Sequence, residues 1–445
     1  MTVFDEIAEK TGDDQWNEWK ERVLDATDEI AAFVACLRPG REAKVVDWFE
    51  GSFNFCLQVT FNDSGPDAII RFPGPGHTTF RDEKVANEVQ IIKFLREQTT
   101  IPVPRLISWG FTEESPQQFG PFIISDFVEG VHLSDILKDP TDLRRLYLDP
   151  KINSEVLDDV FEQIADIMLQ LFQFNFPCIG AISNDSTSNT WSVTGRPLTY
   201  SMNELATTAF YPIEKFDTSP YESASHYFKS LTREHMTHLW VQRNISTNAE
   251  DAQGRYIARH LFAQLVDQYC IDDCGPFKLF CDDFRPQNIL VDPKTHRITA
   301  VLDLEFTNAM PSQYASEPPW WLLLAGPDSY LFRGHTMEEF MAAYEPRLEQ
   351  FLQAMQRAER AREMLQLEKP LSSLMRESWD TKRFWFSYAA RKPFDVDVLF
   401  QTCLNEAGAG VESLDEEVRG GLEPFVQMKM EQLRAYDRDC KLSLE

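Results

Sequence analysis

The stretch "CDDFRPQNILVDPKTHRITAVLDLEF", Cys281 to Phe306, is the most informative in the chain. Two apolar runs flank the polar turn "DPKTHR", which predicts a β-hairpin. The two ends of a hairpin lie side by side, so Asp303, closing the second run, returns beside Asn288, which opens the first. Asp283 lies five residues before Asn288. Two carboxylates and one amide carbonyl therefore meet at one edge. Hard oxygen donors in that number suit Mg²⁺, which takes one or two carboxylates and completes its shell with phosphate oxygens and water. A carboxylate left over can orient a hydroxyl and accept its proton, the division of labour that phosphoryl transfer needs. The competing reading is a polar loop whose Asp and Asn only cap the turn. Asp303 at the right spacing weighs against it.

The residues before this stretch divide into two styles. Asp13 to Leu37 carries helical periodicity and ends at Pro39 and Gly40. "KVVDWFEGSFNFCLQVTF" reads as two strands around the turn Glu50-Gly51-Ser52, and "DAIIRFP" as a third. A helix follows from about Asp82 to Gln98, ended by Pro102 and Pro104. "PFIISDFVEG" is another strand with a polar, Gly-terminated exit. Beyond residue 131 the pattern turns helical, in "SDILKDPTDLRRLYL", "SEVLDDVFEQIADIMLQLFQF", "GRYIARHLFAQLVDQY" and "EPRLEQFLQAMQRAERAREMLQLE", and the hairpin is the one clear β signal. Strands first and helices after predict α+β rather than a doubly wound sheet. The expected division is a helical extension over 1–40, a β lobe over 41–130 and a helical lobe over 131–445.

Composition narrows the partners. At 43% hydrophobic and 26% charged residues, 445 residues can bury a large core. A formal net charge of −28 repels phosphate backbones and anionic bilayers, which excludes a nucleic-acid or membrane partner and leaves a cationic small molecule plausible. Eight scattered cysteines show no zinc spacing, and the acidic N-terminus lacks a signal-peptide pattern, so a cytoplasmic protein with reduced thiols is expected. Nothing in the sequence encodes an oligomeric state.

Asp283-x4-Asn288 with Asp303 twenty residues on resembles the aminoglycoside phosphotransferase and choline kinase-like family, which shares the protein-kinase fold. "CDDFRPQN" stands where that family has His-Gly-Asp-x4-Asn, a form similar to its uncharacterised fungal branch. The resemblance implies a bilobal protein-kinase-like α+β fold, a small-molecule phosphotransferase using ATP and Mg²⁺, Asp283 as catalytic carboxylate, and Asn288 and Asp303 as metal ligands. It implies nucleotide contacts at Ser52, Phe53 and Asn54 in the first β-turn. Arg71 would grip the α- and β-phosphates where kinases carry Lys, and backbone groups of Asp126, Phe127 and Val128 would meet the adenine. Helical phase selects Glu88 as partner of Arg71, since it shares the buried arc with Val85, Val89, Ile92 and Leu95 while Glu83 points away. The acceptor would be a hydroxyl or amine of a small, cation-bearing molecule. Cys281 for His, Asp282 for Gly, Arg for Lys and a glycine-poor loop motivate an alternative, a catalytically silent pseudokinase that binds nucleotide or a protein partner. Retention of Asp283 and Asp303 argues against it. A protein kinase is disfavoured by missing His-Arg-Asp, Asp-Phe-Gly and Ala-Pro-Glu motifs.

Overall fold

The computed structural model describes residues 3–38, 40, 42–141, 146–185, 187, 189–362, 369–405 and 408–443. The first lobe is an antiparallel sheet of β1 (Lys44–Glu50), β2 (Asn54–Thr60), β3 (Ala68–Pro73), β4 (Leu106–Gly110) and β5 (Phe122–Asp126) in the order β1-β2-β3-β5-β4. Period-two alternation gives each strand two faces. Phe55, Leu57, Val59, Ile70 and Phe72 form one core face, packed by Trp16, Trp19, Val23, Ile30 and Val34 of the helices α1 (Glu6–Asp25) and α2 (Thr27–Leu37). The opposite face carries the rung Cys56, Arg71 and Ile123, and is covered by α3 (Arg81–Gln98). That is the face that opens on the second lobe.

The second lobe is largely helical. Helices Ser154–Phe172, Ala224–Val241, Ala249–Gln264, Met337–Ala361 and Arg383–Ala390 enclose its core, and Phe384, Trp385 and Phe386 are buried there. Two short ladders carry the informative stretch. The strand β9 (Lys278–Cys281) pairs with β12 (Thr307–Met310), and β10 (Ile289–Val291) pairs with β11 (Ile298–Val301) as the predicted hairpin. The hairpin turn is held by Asp292, whose Oδ1 accepts from the Lys294 and Thr295 amides.

Several expectations need correction. The first helix is two, parted at Ala26, and begins at Glu6 because the Asp5 carboxylate caps the Ile7 and Ala8 amides. In "SDILKDPTDLRRLYL" only Leu133–Leu137 is helical, since Pro140 cannot continue the ladder; residues 142–145, like Pro39 and the end of "REMLQLE", lie outside the described residues. The helical half also holds β6 (Val131–His132), β7 (Ala181–Asp185) and β8 (Thr190–Gly195) besides β9 and β12. Ladders of two to six residues are too short to announce a period. His296, in the hairpin turn, is half-buried and lends its carbonyl to Gln163.

The N-terminal segment packs on both lobes. The Phe4 ring meets Phe394 at 4.8 Å, and the Val3 and Phe4 carbonyls accept from Gln242 and Asn244. Among the described residues no helix is long and apolar enough to cross a membrane.

Candidate active site

The polar loop between β9 and β10 is pinned from both ends. Asn288 donates its Nδ2–H to the Asp283 carbonyl (2.9 Å) and carboxylate Oδ2 (2.7 Å), which leaves its carbonyl oxygen unspent on Asp283. The Leu302 amide donates to the Asn288 carbonyl (2.8 Å), so the residue after it, Asp303, stands next to Asn288. Asp303 is left-handed at φ +53, a conformation that costs a non-glycine residue roughly 1 kcal/mol and turns the chain sharply out of β11. The turn lets the Leu304 amide donate to Glu88 of α3 (3.2 Å).

Glu88 is also paired with Arg71, and Arg71 Nη1 reaches Asp303 Oδ1 at 2.7 Å. Glu83 lies on the other side of α3 and binds Arg196. Burial alone would weaken the Arg71 proton. The carboxylates of Glu88, Asp303 and Glu305 outweigh it and hold the guanidinium well above its ordinary value. Burial pushes the Glu88 and Asp303 carboxyls up, and Arg71 pulls both back. Asp283 is pushed up to about 6, by burial first and by Asp303 and Glu305 also, against the Arg285 charge and the Asn288 hydrogen bond. Arg285 Nε lies 2.7 Å from Asp283 Oδ1, yet its N–H is not aimed at the oxygen, so this contact is charge pairing rather than a hydrogen bond.

A cleft of about 430 Å³ runs between the lobes, within the usual size for a small-molecule site. Ser52, Phe53, Asn54, Arg71, Glu88, Asp126, Phe127, Val128, Asp283, Asn288 and Asp303 all line it. They are not equally free. The Asn54 amide is committed, donating to Glu305 Oε2 (2.8 Å) and accepting from Lys84 Nζ (3.1 Å), so its side chain braces the turn instead of facing a ligand. At the connector, the Asp126 and Phe127 amides already donate to the Arg105 and Asp67 carbonyls, and the Asp126 carboxylate pairs with Arg105. The Phe127 ring stacks on Phe49 at 6.0 Å. Phe53 meets Tyr200 and Phe306 edge-on, at 5.3 and 5.7 Å.

Among the described residues no group of three or more His, Cys, Asp or Glu side chains could hold a metal by itself. The donor set still fits Mg²⁺. One carboxylate, Asp303, with its side chain 37% exposed to the cleft, and one amide oxygen, Asn288, are what the ion takes when phosphates complete its shell.

Sequence reasoning missed several residues that shape this site. Lys84, one turn before Glu88, is buried and pairs with Glu305 at 2.9 Å. It could have been found, because it lies on the same stripe as Glu88 and a buried cation needs a partner. Arg285, Tyr200 and Arg391 carried no local signal.

A family model described as the phosphotransferase enzyme family matches residues 57–314. Over 139 residues the chain is 32% identical to a subtelomeric hrmA-associated cluster protein of Aspergillus fumigatus, an alignment covering 30% of this chain and 23% of the relative. The chain thus spans under a quarter of that curated relative's length. Among solved structures it is similar to an ethanolamine kinase of Plasmodium vivax, at 14% identity and TM-score 0.41 over 89% of this chain and 81% of that one. It is also similar to the aminoglycoside phosphotransferase APH(3'')-Id of Streptomyces rimosus, at 15% identity and TM-score 0.41 over 82% and 97%.

Proposed function

We propose, from the premise that this chain belongs to the phosphotransferase enzyme family, that it moves the γ-phosphoryl group of ATP to a hydroxyl, or an amine, of a small molecule. What carries the reading is the convergence of Asp283, Asn288, Asp303 and the Arg71–Glu88 pair on one cleft between the lobes. Mg²⁺, held by Asp303 and Asn288, would neutralise charge on the β- and γ-phosphates. The chain's own residues do the rest. Asp283 orients the acceptor hydroxyl and takes its proton as the new O–P bond forms. The β–γ bridging bond breaks and ADP leaves with its electrons. Arg71, aimed by Glu88, steadies the α- and β-phosphates, and Asn288 holds Asp283 in place. The net charge of −28 supports an amine-bearing acceptor.

The test has two parts. ATP with Mg²⁺ should raise the melting temperature, by the equivalent of about 2.7 kcal/mol at a hundredfold excess over Kd, and ATP without the metal by much less. No shift in either case would favour a silent scaffold. A screen of hydroxylated and aminated metabolites should then show acceptor-dependent release of ADP.

The raised Asp283 carboxyl predicts a pH profile. A base must be deprotonated, so kcat/KM should rise about tenfold per pH unit below about pH 6 and level off above it. A profile flat from pH 5 to 8 would mean that the essential carboxylate titrates in its ordinary range, at roughly 4, and would overturn the raised Asp283 carboxyl.

A further inference from the structure

Asp282 and Asp283 are neighbours that serve different cavities. Asp283 lines the inter-lobe cleft, and Asp282 lines a second cavity of about 60 Å³ behind the loop. In that rear cavity Asp282 Oδ1 accepts from Arg391 Nη1 at 2.8 Å. Arg391 follows the helix Arg383–Ala390, in a segment, Glu377 to Asp397, whose role no motif discloses. Its second amino group, Nη2, donates to Glu317 Oε2 at 2.6 Å, and its Nε to the Ser387 carbonyl at 3.3 Å. The rings of Phe280 and Tyr314 lie 5.0 and 4.9 Å from its guanidinium carbon. The residue is 7% exposed.

A planar fork whose three nitrogens are all engaged, with two rings packed against it, has one geometry. Whatever it grips is held as firmly. Cys281, just before Asp282, offers no comparable grip, because burial keeps its thiol neutral, pushed up to about 12. The cavity beside them has room for a few waters at most, and it leaves the loop space into which to relax if released. Asp282 and Asp283 are the two central residues of one turn, closed by the Phe284 amide on the Cys281 carbonyl (3.3 Å), so anchoring the Asp282 side chain in the rear cavity fixes the turn that presents Asp283 to the cleft.

We propose that Arg391 is the positioning residue of the catalytic loop, and that Asp282 is the handle by which it holds Asp283 toward the cleft. Asp282 is then no second base. The proposal rests on the phosphotransferase reading for its kinetic consequence, and on geometry alone for its structural one.

Three variants test it: Asp282→Asn, Arg391→Gln and the two combined. Asp282→Asn leaves Arg391 on Glu317 and exchanges a charge-assisted hydrogen bond for a neutral one, so it loosens the grip in a protein that keeps its fold. Each single change should lower kcat roughly tenfold to a hundredfold by misplacing the base, with KM for ATP within about twofold of the parent. The double variant should be no slower than the slower single, since one contact is lost either way. Independently of activity, amides of residues 281–288 should exchange about tenfold faster in each single variant, while the helix Ser154–Phe172 stays as protected as before. Losses that multiply in the double variant, or unchanged exchange at 281–288, would overturn the proposal. So would an Asp282→Asn enzyme as impaired as Asp283→Asn, which would make Asp282 a base. Faster loop exchange in a protein that phosphorylates no acceptor would uphold the grip and sink the phosphotransferase reading instead.

Discussion

Asp283→Ala is expected to lower turnover by roughly 10²- to 10⁴-fold, the range in which a positioned general base contributes, and to leave the fold intact. The two halves of this expectation have separate causes. The rate falls because, among the described residues, the other carboxylates lining the cleft are held by cations of the fold, Asp303 and Glu88 by Arg71, Glu305 by Lys84, Asp126 by Arg105 and Glu50 by Lys20, whereas Asp283 stands beside Arg285, which can turn away. The fold survives because Asp283 holds little together. Its side chain is 17% exposed, and its ion-pair partner Arg285, 30% exposed, can turn to water. Asn288 keeps its bond to the residue-283 carbonyl, which alanine still supplies.

Linkage points the same way. Burial has raised this carboxyl to about 6 from an ordinary 3.8, so its stabilising contribution is complete only below about pH 3.8 and is lost as pH rises through 6. At pH 7.5 the charged group strains the folded state, and removing it should hold or raise the melting temperature. Acceptor-dependent ADP release and a thermal melt at pH 7.5 check both halves. A variant that turns over normally would take Asp283 out of the chemistry, and one that fails to fold would make it a structural residue.

How far the sequence discloses this site depends on how far apart the partners lie along the chain. The loop, the hairpin and Asp303 fall within 24 residues, and local rules suffice: a polar turn between two apolar runs sets the register that returns 303 to 288. Arg71 and Glu88 are 17 apart across one strand–helix connection, and helical phase chooses Glu88 over Glu83. By contrast Asn54 meets Glu305 across 251 positions, and Arg391 meets Asp282 across 109. No periodicity links such pairs, because what joins them is the packing of one lobe on another. Asn54 is the instructive case. Its place in the first turn suggested a ligand contact, whereas a buried carboxylate of the other lobe has claimed its amide. The short strands β4, β7, β8 and β12 escaped for a related reason: each is specified by its partner rather than by its own pattern.

That inter-lobe contact supplies the second large effect. Lys84→Met should destabilise the protein by about 3–5 kcal/mol, roughly 3–5 °C in melting midpoint at this length. Lys84 and Glu305 have side chains 2% and 5% exposed, and their 2.9 Å pair is closed by Asn54, which donates to Glu305 and accepts from Lys84. The rings of Phe53 and Phe306 lie 5.3 and 5.8 Å from the ammonium. Methionine fills the same volume without charge, so the whole loss comes from stranding the Glu305 carboxylate in a dry site. Burial lowers the Lys84 proton affinity, and Glu305 only partly restores it; the pair is therefore a compromise, worth less than the damage of halving it. Adding Glu305→Gln removes the stranded charge and keeps an oxygen for the Asn54 amide, so the double variant should recover most of the lost stability. It should not recover the coupling. With no ammonium to hold its Oδ1, Asn54 retains one of two anchors, and the turn that lines the cleft is freer to move. The double variant should then show KM for ATP raised by roughly tenfold, the weight of one charge-assisted hydrogen bond, with kcat changed less. A Lys84→Met protein that melts with the parent would mean that the Lys84–Glu305 pair adds nothing net to the fold, and that the lobes are joined without it, by Arg71 on Asp303, the Leu304 amide on Glu88 and apolar packing.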